Sequence, residues 1–105
     1  MKIEKNDNFF LFTEIKSSDQ NNFLEYLDIL IKKPVNSIIN LDRELINNDS
    51  LILSLVNYST FWKKSDKSFI LVIGDFTIEN KNLIYVPTLN EAIDYLYMEE
   101  LERNV

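Results

Sequence analysis

Any chemistry in this chain has to come from carboxylates, hydroxyls and amines, because its 105 residues include no His and no Cys. Without His there is no His-dependent triad, no imidazole metal ligand and no ordinary general base near neutral pH. Without Cys there is no thiolate zinc site, no cysteine nucleophile and no disulfide framework. Carboxylates are plentiful, 17 Asp and Glu against 11 Lys and Arg, for a formal charge of −6. Glu14, Glu25, Asp28, Glu44, Glu79 and Glu91 could each contribute to an acid/base pair, but no spacing singles out two of them. No Gly-rich loop exists to cradle phosphates, so no cofactor is implied. Net acidity argues against a nucleic-acid binder, which needs clustered Lys and Arg to neutralise phosphates. Lys63-Lys64 and Lys67 form a basic cluster that a solvated helix end explains.

Two acids and one serine stand out by position. Asp42 and Asp75 each follow an apolar run, where α/β sheets tend to build sites and where two carboxylates can hold Mg²⁺. A receiver-type site would also need an acidic pair after the first parallel strand and a lysine after the last one. Those positions read Thr13-Glu14 and Pro87-Thr88. Helix capping and turn formation account for Asp42 and Asp75 more simply. Ser50, preceded by Asp49, opens an apolar helical face and is either a modification site or part of a cap.

The elements that position these residues follow from periodicity. Gly74, Pro34 and Pro87 are the sparse punctuation, and no linker or repeat appears, so residues 1–105 read as one domain. Lys2–Lys5 and Phe9–Thr13, joined by Asn6-Asp7-Asn8, suit a β-hairpin with Ile3 buried. Ser17-Ser18-Asp19 offers caps for a helix whose face is Phe23, Leu24, Leu27, Leu30 and Ile31 and which Pro34 stops. Val35–Leu41 reads as a third strand. A polar stretch from Arg43 to Asn48 leads to Asp49-Ser50, the expected start of a second helix with the face Leu51, Leu55, Tyr58 and Trp62. Ser68–Ile73 is apolar throughout its centre, as a strand covered on both faces should be. Thr77–Asn82 is polar and reads as loop or one turn, and Leu83–Val86 as a fifth strand. Thr88-Leu89-Asn90-Glu91 is a capping box for a last helix with the face Leu89, Ala92, Ile93, Leu96 and Tyr97. Phe61 and Trp62 point about 100° apart on one helix, so one of them should be exposed. Tyr95, Tyr97 and Met98 pose the same question on the last helix.

This alternation predicts an α/β fold with a mixed, mostly parallel sheet of about five strands and helices packed on it. The order, together with three stretches of sequence, resembles the STAS domain of the anti-sigma factor antagonists. Ile38-Ile39-Asn40-Leu41-Asp42 stands where that family has a strand ending in Asp-Leu-Ser. Asn48-Asp49-Ser50-Leu51 stands where it has an Asp-Ser-Ser/Thr-Gly helix start, although the glycine is missing here. Phe69–Ile73, Leu83–Val86 and Thr88-Leu89-Asn90-Glu91-Ala92 match its last two strands and its Thr-x-x-Glu-Ala helix. The resemblance implies a non-catalytic module that binds another protein, a kinase or anti-sigma-like regulator, and is switched by phosphorylation of the serine matched by Ser50. The implied partner surface is Asp42, Asp49, Ser50, Ser54 and Asn57.

The chain is also similar to short STAS-like bacterial proteins sometimes labelled ribonuclease Z, through Val86-Pro87-Thr88-Leu89-Asn90-Glu91-Ala92 and Met98–Arg103. An accessory role beside that enzyme is the competing reading. The enzyme's own di-zinc chemistry requires His ligands that this chain lacks. The densest apolar runs, Phe9–Phe12, Leu27–Ile31 and Phe69–Ile73, fall far short of the roughly 20 residues of a membrane span. Met1–Lys5 alternates charge with apolarity, unlike a signal peptide, so a cytoplasmic protein without membrane partners is expected. An edge strand and exposed aromatics that need cover leave a homodimer open, with no seam visible in the sequence.

Overall fold

The computed structural model describes residues 1–104. Five strands form one sheet in sequence order: β1 (Lys2–Lys5), β2 (Phe10–Thr13), β3 (Ser37–Asn40), β4 (Phe69–Val72) and β5 (Ile84–Val86). β1 runs antiparallel to β2, with Ile3 opposite Phe12 and Glu4 opposite Leu11, and the other neighbours are parallel. The helices are α1 (Gln20–Leu30), α2 (Arg43–Ile46), α3 (Asp49–Lys64) and α4 (Leu89–Arg103). The α/β class, the mostly parallel sheet and the order of elements agree with the sequence reading.

Alternation along the strands sorts side chains onto two faces. Phe12, Ile39, Phe69 and Leu71 point to the first face, where α1 brings Phe23 and Leu27 and α3 brings Leu51, Leu55 and Trp62. Leu11, Ile38, Ile70 and Val72 point to the second face, where α4 brings Ala92 and Leu96. The strands advance in one direction across the sheet, so crossovers of one hand leave α1 and α3 on the same side. The β4–β5 crossover has no helix. Its loop instead drops Ile78 into the core of the first face.

Three expectations are corrected here. Arg43–Ile46 is a helical turn, because Leu45 and Ile46 both reach the core from within a polar stretch. Thr77–Asn82 is loop as expected, with Ile78 buried as its anchor. Asp19 does not cap α1. Its carboxylate turns back to accept from the Lys16 N–H at 3.0 Å, and Ser17–Asp19 forms a 3₁₀ turn. The core stripe of α4 is narrower than expected, Ala92 and Leu96 with Ile93 half-buried, while Leu89 and Tyr97 are exposed. A single helix lies on this side of the sheet, so nothing flanks them.

The lower end, where β3 and β4 begin, is tied by long-range side-chain bonds. Asn36 is the hub. Its Nδ2 donates to the Asn8 carbonyl at 3.2 Å and to Glu100 Oε1 at 3.1 Å, and its Oδ1 accepts from the Ser68 N–H at 2.8 Å. Trp62 Nε1 donates to the Val35 carbonyl at 2.8 Å and to Ser37 Oγ at 3.2 Å. Arg103 donates to Ser68 Oγ at 3.0 Å. The hairpin, β3, β4, α3 and α4 are thereby fixed at one corner. No helix is long and apolar enough to cross a membrane among the described residues.

Candidate partner surface

The outer face of α3 is set by what its inner face must bury. Leu51, Leu55 and Trp62 fill the core, and Tyr58 reaches α1, donating to the Asp28 carboxylate and to the Leu24 carbonyl. Burial and the Asp28 bond push the Tyr58 phenol up to about 12. With about 100° per residue, Ser50, Ser54, Asn57 and Phe61 then fall on one line of the opposite face, with Leu53 beside it. Ser50 and Asn57 are exposed and Ser54 is half-exposed. Leu53 is 62% exposed and Phe61 46%, against 0% for the neighbouring Trp62. Of the two aromatics it is thus Phe61 that faces outward, with Lys64 Nζ 5.9 Å from its ring centre.

The start of α3 differs from the expected cap. Asn48, not Asp49 or Ser50, is the N-cap, and its Oδ1 accepts from the Leu51 N–H at 3.1 Å. Its Nδ2 donates to Gln20 Oε1 at 2.9 Å, which pins the start of α3 to the start of α1. Asp49 and Ser50 are released to the first turn, both exposed. Ser54 Oγ donates back to the Ser50 carbonyl at 3.1 Å, an internal helix bond.

Asp42 stands apart from this line. It ends the run after β3 and caps α2, its Oδ1 accepting from the Leu45 N–H at 3.1 Å. Among the described residues no hydrogen bond or ion pair joins it to the α3 face. Asp75 lies exposed beside Gly74, which takes φ +64° to turn the chain out of β4. No group of three or more acidic side chains converges as a metal site among the described residues.

A scan against protein-family models finds no match for this chain, and a search of the curated proteins finds none either.

Two features escaped the sequence reading. Leu53 was hidden because exposed and buried leucines look alike until the buried set 51, 55, 62 is fixed. Beside Leu53 lies a cleft of about 540 Å³ between α3 and the β4–β5 loop. Leu53 and part of Ile52 give it apolar surface above the buried Ile46 and Ile78, and Asn47, Asp49, Thr77, Glu79 and Asn80 make the rest of its lining polar. Its far wall is the helix-free crossover, whose placement depends on Ile78 and carries no periodic signal.

Proposed function

We propose that this chain acts by binding another protein and not by catalysis, through the outer face of α3 and the cleft beside it. The observation that carries the reading is the exposure of Leu53 and Phe61 on the same helix face as Ser50, Ser54 and Asn57. Large apolar side chains ringed by small polar ones are the usual core of a docking surface. The strand order adds support. Ligand crevices in open α/β sheets form where strand order reverses, and the order here runs straight from β1 to β5.

The proposed partner is a kinase or anti-sigma-like regulator, as for the anti-sigma factor antagonists that the sequence resembles, and Ser50 is the proposed switch. Ser50 is the second residue of α3, where a phosphoryl group sits within reach of the helix's free N–H groups. It would place about −1.5 to −2 charges at the rim of the cleft. The test is affinity capture from the native cell with the intact chain, Leu53→Glu and Phe61→Glu. A captured protein lost in both variants supports the reading, and a protein captured equally by all three overturns it. Intact mass after incubation with extract and ATP tests the switch, with Ser50→Ala as the control. Metal-dependent nuclease activity in the purified chain would overturn the non-catalytic part.

A further inference from the structure

The chain carries a charge of −6, yet one cleft runs against it. It lies at the lower end, between the last turns of α3 and α4 and the start of the edge strand β5, and holds about 430 Å³. Lys63 comes from α3, Lys67 from the turn after it, Lys81 from the β4–β5 loop and Arg103 from α4. Four of the eleven cations thus line one cleft, against two of the seventeen acids, Asp66 and Glu99. The negative ends of α3 and α4 account for Lys63 and Arg103, which sit in their last turns. They do not account for Lys67 and Lys81, which belong to no helix.

Among the described residues Lys63, Lys67 and Lys81 form no ion pair, although acids outnumber cations in the chain. Like charges gathered around a concave surface repel one another, and the cleft focuses their field. A bound anion removes that cost. Arg103 is held differently, donating to Ser68 Oγ at 3.0 Å, so it braces the cleft while the lysines stay available.

Glu99 supplies the second observation. Its Oε1 is buried with no hydrogen-bond partner, and Arg103 Nη2, at 3.9 Å, is beyond hydrogen-bond reach. A buried carboxylate oxygen left without a donor needs one from elsewhere. An ammonium donor would be repelled by the four cations, which leaves a hydroxyl. One turn before Glu99, the partly exposed ring of Tyr95 lines the same cleft. Three lysines from three separate elements suit a tetrahedral phosphoryl group, which Lys binds as a point charge, whereas a flat carboxylate is better matched by a single Arg fork.

We propose that this cleft binds a sugar phosphate, with the phosphoryl group among Lys63, Lys67 and Lys81, a sugar hydroxyl donating to Glu99 Oε1 and the C–H face of the sugar on the Tyr95 ring. The volume falls within the roughly 300–1,000 Å³ of small-molecule sites. The cleft lies at the other end of α3 from Ser50 and shares no residue with the cleft beside Leu53, so the proposal stands without the docking face.

The test is backbone amide NMR of the intact chain, titrated separately with ribose 5-phosphate, ribose, inorganic phosphate and AMP. Ribose 5-phosphate should shift the amides of the cleft saturably, with a Kd below about 10 mM, and inorganic phosphate should bind about tenfold more weakly. Ribose should shift nothing. Lys67→Gln and Lys81→Gln should each weaken ribose 5-phosphate about tenfold, whereas Lys33→Gln, the same change of net charge outside the cleft, should leave it unchanged. All three lysines are exposed, so the fold survives these changes. Glu99→Ala removes the hydroxyl's acceptor and a repelling charge together, so it should weaken ribose 5-phosphate while tightening inorganic phosphate. AMP binding more tightly than ribose 5-phosphate upholds the site and makes its ligand a nucleotide. AMP binding more weakly upholds it for the free sugar phosphate. The inference is overturned if neither ester shifts the cleft saturably, if inorganic phosphate binds as tightly as the esters, or if Lys33→Gln weakens binding as much as Lys81→Gln.

Discussion

The two ends of the sheet are held by different kinds of bond. At the lower end, hydrogen bonds link residues 25 to 64 positions apart, through Asn36, Trp62 and Arg103. At the upper end, where β3 and β5 finish, the caps of α2 and α4 span three residues, Asp42 to Leu45 and Thr88 to Glu91 at 3.2 Å, and a single amide pair, Asn48 to Gln20, ties the start of α3 to that of α1. Between them Gly74 makes its turn without any Cβ contact. The lower end thus sets how α3 and α4 sit on the sheet, while the upper loops that lead into α2 and α4 close on themselves. A loop that closes on itself can change its sequence without moving its neighbours. That freedom suits the end beside the proposed docking face.

Substitutions can break this contrast in order of size. Trp62→Ala should cost the most, about 3–5 kcal/mol, since it empties a fully buried site and strips Val35 and Ser37 of their donor. Denaturant unfolding would measure it. Asn36→Ala should follow at about 1–3 kcal/mol, because the buried Ser68 N–H loses its acceptor. A loss no larger than that of an upper-end cap would erase the contrast. Asp42→Ala should cost about 1 kcal/mol and Asp42→Asn almost nothing, as expected for a residue that only caps. If both equally reduce partner capture without a change in stability, Asp42 belongs to the docking face as well. Tyr58 gives a pH readout between α1 and α3. Its folded-state phenol titrates at about 12 against an ordinary 10, so the unfolded chain loses that proton first. Stability should therefore fall as pH rises from about 10 to about 12, and Tyr58→Phe should remove that part of the fall.

The sheet and the three long helices were legible because their apolar residues repeat with period 2 or 3.6 over enough positions to be counted. The partner residues Ser50, Ser54 and Asn57 came from the family resemblance, and the helical period of the buried positions 51, 55 and 62 then sets them on the outer face. What was not legible lacks a period. Leu45-Ile46 and Ile78 are isolated apolar residues in polar surroundings, and only the packed core shows that they are anchors. Asn47-Asn48-Asp49-Ser50 offers four good capping residues in a row, so propensity alone does not choose among them. The bond from Asn48 to Gln20, 28 residues away, marks Asn48 as the anchored one. Asn36 is one asparagine among many in the sequence, and its role as a hub exists only once the hairpin, β4 and α4 converge on it.

Because each strand lies beside the one made just before it, the sheet can be laid down in order as the ribosome delivers it, every new strand docking on an edge already present. The exception is the cover of the second face. α4 follows the last strand, so Leu11, Ile38, Ile70 and Val72 stay wet until that fifteen-residue helix is out. The nascent chain is therefore most prone to stick to its neighbours in the interval between completing its sheet and docking α4.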